Sequence, residues 1–581
     1  MTAVIDPTEA LAPLFREAIA SALGPEHAET DPTLRPSQHA DLQANLAMGL
    51  AKRLGRAPRE IAEVIAAALP KGGPLARVEL SGPGFLNLTL SDAFVEGAAT
   101  AMLRDPRLGV PVASPADRVV IDYSAPNVAK EMHVGHLRST VLGDALARLL
   151  EFRGHEVVRQ NHVGDWGTPF GMLIEHLLDL GEEEATASLG VGELSAFYKA
   201  ARKKFDGDPA FAERARSRVV SLQAGDAETR RLWQVLVEVS ERYFQAVYDK
   251  LDVTLRPVDI RGESYYNDRL APLAEELVRE GKAVVDDGAV CLFVPGFVGK
   301  DKAPLPLLVR KSDGGFGYAA TDLAAIRFRA RDLGATRLLY VVGAPQETHF
   351  AMVFGAAREL GWLARARAEH VSFGSVLGTD KKMYKTRSGE TVRLVDLLDA
   401  AVDKAEGAVR ERFPELDDAT AREVARDAGI GAIKFADLSS DRVKDYVFDV
   451  DRMVRFEGKT GGYLQYAHAR TRSIFRKSGG AVVADEITLS SDDRRTAERA
   501  LLLTLLGFSA SVLAVERTLQ PHLLCTQLYE VAERFSSFYE RCDVLRADEE
   551  TRAHRLAICA LTARVLERGL SLLGIRAPER M

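Results

Sequence analysis

Cysteine is scarce in this 581-residue chain, which carries only Cys291, Cys525, Cys542 and Cys559. No two of them share C-x-x-C spacing, so neither a disulfide framework nor a zinc ribbon is indicated. They read as buried thiols of a protein in a reducing cytoplasm. Long apolar runs are lacking as well: the longest, such as 500–503, fall well short of a membrane span. Asp6 and Glu9 interrupt any signal-like opening. Nor is there an excess of basic charge, since 76 Lys and Arg against 83 Asp and Glu leave a net charge of −7. That argues against a uniformly basic surface but not against nucleic acid, because a large enzyme can gather its cations on one face. Internal repeats and low-complexity tracts are absent too. What is there, 46% hydrophobic and 27% charged residues, is the balance of a soluble globular protein, and the length calls for several domains.

The first 110 residues read as a small α+β unit. Helical apolar spacing covers 11–23 and 46–69, and 76–80 and 85–90 alternate like two strands around a Ser81-Gly-Pro-Gly turn. A Pro-rich linker follows at 105–116. Next, 118–123 is an apolar run fit for a buried strand, 135–152 a helix with one Leu-rich face, and 156–160 a second strand. Strand, loop, helix, strand is a βαβ unit, which predicts a parallel sheet with its ligand site at the strand ends. The chain then turns mostly helical over about 165–305, with a strand-like tail near 289–294. The βαβ rhythm resumes with expected strands at 305–311, 337–342 and 370–376. From 394 onward the pattern is helical to the end. The fold class expected is α/β multidomain: a Rossmann-type parallel-sheet core over 116–390 with a helical insertion, flanked by the N-terminal α+β unit, a helical connective region at 391–455 and an all-α bundle at 456–581.

The strongest chemical signal is H-x-G-H, His133 to His136, where the first strand's loop meets the helix. Helix N-termini present unpaired N–H groups and partial positive charge, so they hold phosphates well. Two imidazoles there can stabilise the charge that develops on triphosphate oxygens. Gly135 leaves room for close approach of a nucleotide, and Lys130 supplies a mobile cation. The pattern arises by chance in about 2 of 100 chains of this length. A histidine pair at i, i+3 is also half of a metal site, but no H-E-x-x-H pattern supports one and no structural metal is expected.

The longer run Ser124-Ala-Pro-Asn-Val-Ala-Lys-Glu-Met-His-Val-Gly-His-Leu-Arg-Ser-Thr140 closely resembles the first signature of the arginyl-tRNA synthetases, class I aminoacyl-tRNA synthetases. Val163-Gly-Asp-Trp-Gly-Thr-Pro-Phe-Gly171, Gly462-Tyr-Leu-Gln-Tyr-Ala-His-Ala-Arg470 and the ending Leu573-Gly-Ile-Arg-Ala-Pro-Glu-Arg-Met581 are similar to that family too. The resemblance implies an arginine–tRNA ligase. ATP, with Mg²⁺, would activate L-arginine to arginyl-adenylate, and the terminal 2′-hydroxyl of the arginine tRNA would then attack it. The family commonly needs bound tRNA for the first step. The N-terminal unit resembles the domain that binds the tRNA elbow, and the C-terminal bundle the anticodon-binding domain. No membrane contact is expected, and a cytoplasmic monomer is.

The resemblance also assigns residues. Gly378-Thr-Asp-Lys-Lys-Met-Tyr-Lys-Thr-Arg-Ser-Gly389 stands where class I enzymes carry K-M-S-K-S, a second phosphate loop. Lys382 and Lys385 match two of its lysines directly. The family's alignment on Thr386, Arg387 and Ser388 puts Thr386 where the second lysine belongs and leaves Lys130 to supply that charge. A guanidinium is planar, charged and rich in donors, so it calls for carboxylates and flat partners. Asp122, Ser124, Asn127, Tyr318, Asp322 and Gln346 match the family's arginine-binding positions, with Asp122 where relatives often carry Glu. His349 resembles a residue near the adenosine. Tyr463, Tyr466 and Arg470 are candidate tRNA contacts, as stacking or phosphate-binding groups; ordinary helix packing explains them equally. From 460 onward, 17 Lys and Arg face 15 Asp and Glu, so charge alone does not mark an RNA surface. Two rivals stay open: a free-standing nucleotidylyltransferase and a catalytically silent tRNA-binding paralogue.

Overall fold

The protein is described by a computed structural model covering residues 6–37, 39–182, 194–299, 302–384 and 392–581. Its centre is a four-stranded parallel sheet in the order Arg367–His370, Arg337–Tyr340, Arg118–Asp122, Glu156–Gln160. Helices pack on both faces, and Val119, Val120, Ile121, Leu338 and Leu339 are all buried. This is why the strands read as continuous apolar runs rather than alternating ones. Asp122, Gln160, Tyr340 and His370 lie in register at the carboxyl edge. The chain leaves Arg118–Asp122 toward one side, and the later strand Arg337–Tyr340 pairs on the other. The crevice between their loops is therefore the switch point where open α/β sheets bind ligands.

Three expectations need correcting here. Residues 305–311 do not rejoin the parallel sheet: Pro304–Arg310 pairs antiparallel with Ala289–Val298, which pairs with Val284–Asp286. A short apolar run does not say which sheet it joins, and the brief connection between these strands permits only a hairpin. The strand expected at 370–376 ends at His370, and Val376–Leu377 pairs instead with Tyr446–Val447. The helix expected over 46–69 is two, Leu46–Leu54 and Pro58–Ala68, broken at left-handed Gly55 (φ 62°). By length and composition alone, 495–518 is long and apolar enough to span a membrane. It is divided by Gly507 into helices Arg495–Leu506 and Phe508–Thr518, whose Leu501, Leu502, Leu505 and Val512 are buried in the C-terminal core.

The N-terminal unit packs helices Pro7–Leu23, Leu46–Leu54 and Pro58–Ala68 on a four-stranded antiparallel sheet, to which Leu34–Pro36 and Leu42–Ala44 add two short strands. The insertion carries Ala227–Leu251, which lies against the first signature. Beyond the sheet, Leu394–Arg412 and Asp418–Leu438 lead to the bundle Gly461–Lys477, Arg495–Leu506, Phe508–Thr518, His522–Arg541 and Glu549–Leu572. All four cysteines are buried and free.

Candidate active site

Helix Val134–Phe152 begins under a reciprocal cap made by its own two histidines. His133 Nδ1 accepts from Gly135 N at 3.1 Å, and His136 Nδ1 accepts from His133 N at 3.1 Å. The rings lie 4.0 Å apart. Burial, with Lys130 nearby, lowers the pKa of His133; burial and His133 press His136 down to about 3. Both imidazoles are thus neutral, and because each Nδ1 accepts, the proton sits on Nε2. Each ring therefore has Nε2–H to donate to an incoming oxygen. Gly135 is required for a reason the sequence did not reveal: a Cβ there would lie 2.8 Å from the His133 ring. Lys130 is exposed, with Nζ 4.6 Å from the Tyr198 ring.

The loop before this helix is held tightly. Ser124, Ala125 and Ala129 all have positive φ, at 75°, 47° and 58°, a conformation that costs non-glycine residues and persists only where the surroundings impose it. Ser139 Oγ accepts from Ser124 N, Asn161 Oδ1 from Ala125 N, and Ser240 Oγ from Ala129 N, each at 2.9 Å. The Ser124 hydroxyl is itself buried, bonded to Tyr248 OH at 2.8 Å and to Thr140 Oγ1 at 2.9 Å. Asn127 is exposed beside Gly164, where a Cβ would meet its Oδ1 at 2.3 Å.

The second loop leaves Leu377 and turns tightly, with Gly378 N donating to Lys382 O at 2.7 Å. Lys382 is exposed. Lys385, Thr386 and Arg387 lie outside the described residues. The return is stapled to the first signature: Val134 N donates to Val392 O at 3.2 Å and Leu394 N to Met132 O at 2.9 Å. Residues 392–394 thus lie against the start of the helix that carries the two histidines.

Three acidic residues from separate segments come near one another. Asp322, on helix Tyr318–Arg327, is bonded through Oδ2 to His349 Nε2 at 2.6 Å. The two residues were read as contacts to different substrates, yet they touch each other. Burial, reinforced by the charges of Asp165 and Asp322, raises the pKa of Glu263 to about 8. Asp165 is fixed by Ser264 N at 2.8 Å and Ser264 Oγ at 2.6 Å, and Gly262 has no room for a Cβ beside it. Tyr318, 75% exposed, and Gln346, also exposed, stand at the rim.

Asp122 already has a buried partner. Rather than facing an open pocket, its Oδ2 pairs with Arg329 Nη2 at 2.8 Å, with both side chains buried. Arg329 also donates to Gln160 Oε1 at 2.7 Å and lies 4.9 Å from the Tyr340 ring. It projects from a π-helical turn, Phe328–Asp332, a geometry that side-chain patterning cannot signal.

The chain matches, over residues 99–450, a family model described as the catalytic domain of class I tRNA synthetases (R). Residues 9–90 match the arginyl tRNA synthetase N terminal domain, and 464–581 the DALR anticodon binding domain. The arginine–tRNA ligase of Thermobifida fusca is 55% identical over 577 residues, 99% of this chain and all of that protein. That of Frankia casuarinae is 53% identical over 96% of each chain.

The chain belongs to the arginyl-tRNA synthetase family.

Solved structures of the family agree along the whole chain. The arginyl-tRNA synthetase of Plasmodium falciparum superposes with a TM-score of 0.82 at 27% identity, covering 99% of both chains. That of Thermus thermophilus gives 0.80 at 25%, covering 99% and 100%. In this synthetase the three C-terminal candidates sit on helix Gly461–Lys477. Tyr463 bonds through its hydroxyl to Ser536 Oγ at 3.1 Å and packs inward on Tyr529. Tyr466 and Arg470 instead form a half-exposed stack with Arg412 and Tyr539: Arg412 lies 5.1 Å from the Tyr466 ring, and Arg470 5.7 Å from Tyr466 and 4.4 Å from Tyr539. Sequence reasoning missed Glu263, Asp165 and Arg329. Asp165 stood inside a quoted family motif; nothing local marked Glu263.

Proposed function

We infer that this chain is an arginine–tRNA ligase that activates L-arginine with ATP and transfers it to its tRNA. The observation that carries the substrate assignment is the acidic set Glu263, Asp165 and Asp322, in which burial and the charges of the two aspartates raise the Glu263 pKa. A guanidinium offers five N–H donors in a plane and a permanent charge, which offsets the burial and, after it, the neighbouring charges of Asp165 and Asp322 that keep Glu263 protonated. Tyr318 and Gln346 complete the rim of that pocket, and Asn127 holds the α-amino or carboxylate end. Asp122 and Ser124 act beneath the site, holding Arg329 and the loop, rather than on the substrate itself.

ATP binds over the N-terminus of helix Val134–Phe152, with Mg²⁺ arriving as part of that substrate. His133 and His136 donate through Nε2 to phosphate oxygens. Lys130, Lys382 and the segment holding Lys385, Thr386 and Arg387 supply cations as pyrophosphate leaves. His349 orients Asp322 and borders the adenosine. The arginine carboxylate attacks the α-phosphate in line; no side chain becomes covalently attached, so positioning and charge carry the rate. The N-terminal unit, 1–110, grips the tRNA elbow, and 456–581 takes the anticodon, with Tyr466 and Arg470 as contacts and Tyr463 as packing. The enzyme works as a cytoplasmic monomer without membrane contact.

The test is arginine-dependent ATP–pyrophosphate exchange, with and without total tRNA. Exchange only with tRNA supports both the assignment and a tRNA-assembled site. Exchange without it keeps the ligase and discards the coupling. Exchange without arginine favours the nucleotidylyltransferase, and none at all from folded protein with cognate tRNA removes the ligase.

A further inference from the structure

The second phosphate loop is fixed at its two ends by different parts of the molecule. Its return, 392–394, is stapled to Met132–Val134 at the phosphate site. Its departure is not held by the nucleotide-binding sheet. Val371 N still bonds to Tyr340 O at 2.8 Å, but from Gly374 onward the backbone–backbone bonds described go to residues 442–448 or within the loop, and Arg138 of helix Val134–Phe152 clasps that junction by donating to Gly374 O at 2.8 Å and Lys444 O at 2.9 Å. Gly374 N donates to Arg442 O at 2.9 Å, Ser375 N to Asp445 Oδ1 at 2.6 Å, Tyr446 N to Ser375 O at 3.2 Å and Phe448 N to Leu377 O at 2.8 Å. The contact is close enough that a Cβ on Gly374 would lie 2.6 Å from the Lys444 carbonyl carbon. Tyr384, at the far side of the turn, lies against Phe448 with ring centroids 5.2 Å apart.

Residues 442–448 connect helix Asp418–Leu438 to the C-terminal bundle, and one side chain ties them to it. Half-buried Arg442 donates through Nη1 to Ser372 O at 2.5 Å and through Nε to Leu519 O at 2.9 Å. Ser372 lies just past strand Arg367–His370 and beside Phe373, whose carbonyl accepts from Ala344 N at 3.0 Å. Leu519 ends helix Phe508–Thr518 of the bundle in a left-handed conformation (φ 55°), which turns its carbonyl outward. The same helix touches the catalytic domain a second time, where Glu516 Oε1 meets His155 Nε2 at 2.7 Å.

We propose that Arg442 is a positioning residue for the second phosphate loop, so that the docking of the tRNA-gripping bundle sets where Lys382 stands over ATP. A guanidinium suits the task because its fixed fork bridges two carbonyls of different domains at once, which a lysine cannot do with the same geometry. The inference rests on the reading that residues 378–389 contact the ATP phosphates.

Two measurements on the full-length enzyme test it, with Arg442→Ala, Asp445→Ala and the control Lys382→Ala. In tRNA-supported exchange, Arg442→Ala is expected to raise KM for ATP or lower kcat at least about tenfold while KM for arginine stays within about twofold. In hydrogen exchange read by mass spectrometry, peptides covering 374–384 are expected to lose protection in Arg442→Ala and Asp445→Ala, while those covering 118–134 do not change. Unchanged protection of 374–384 in Arg442→Ala overturns the proposal, as does a parallel rise in both KM values. If Lys382→Ala leaves KM for ATP unchanged, it is the phosphate-loop reading that fails, and the exchange protection still decides whether Arg442 locks the segment.

Discussion

At the scale of single residues, the site depends on groups kept away from their ordinary charge state. His133 and His136 are held neutral by burial, so each has an Nε2–H to donate and no full positive charge. Glu263 is held the other way, protonated up to about pH 8 by burial and by Asp165 and Asp322. For the free fold, that raised value means the contribution is fully present below the unfolded value of 4.5 and is lost as pH rises through about 8. A bound guanidinium reverses the preference, so arginine binding releases a proton wherever Glu263 starts protonated. KM for arginine should fall as pH rises from about 6.5 to 8, by up to about tenfold per unit, and level off above. Glu263→Gln should abolish that slope and raise KM. A flat profile in the unchanged enzyme would remove Glu263 from the pocket.

At the scale of elements, the crevice is shaped by what lies beneath it. The π-helical turn Phe328–Asp332 puts Arg329 under the end of the first strand, where it joins Asp122, Gln160 and Tyr340. Breaking a buried ion pair by removing one partner leaves an uncompensated charge and costs about 3–5 kcal/mol. Arg329→Leu should therefore lower the urea midpoint and weaken arginine binding, and Asp122→Asn in the same background should recover part of the stability. Recovery of none would mean the pair is not what holds this floor. The βαβ unit was legible because its strands are buried on both faces and its helix has a Leu-rich side. Val376–Leu377 and Tyr446–Val447 were not, because two-residue strands carry no period.

Across the whole molecule, the N-terminal unit and the C-terminal bundle touch each other as well as the catalytic core. Arg499 of the C-terminal bundle donates to both oxygens of Asp41 at 2.8 and 2.7 Å, to Asp92 at 2.8 Å and to Leu90 O at 2.8 Å. Glu96 and Thr100 accept from Leu489 N and Ile487 N, each at 2.9 Å. The N-terminal unit is thereby bonded to the bundle rather than hung from its linker. Arg499→Ala should expose the 105–116 linker to limited proteolysis and raise KM for tRNA more than KM for arginine. Proteolysis at the unchanged rate would show that Arg499 does not hold the two ends together.

The sequence by itself determined the family, the parallel sheet and the helix that carries the histidines. Those features depend on local patterns: apolar runs, a capping position, and a long signature whose spacing is its own evidence. Only the tertiary structure decided which carboxylates influence one another. Asp165, Glu263 and Asp322 come from three separate segments, and their coupling is a matter of distance in space. It also decided that Asp122 is occupied by Arg329 and that His349 meets Asp322, because pairing between distant side chains leaves no trace in their spacing along the chain.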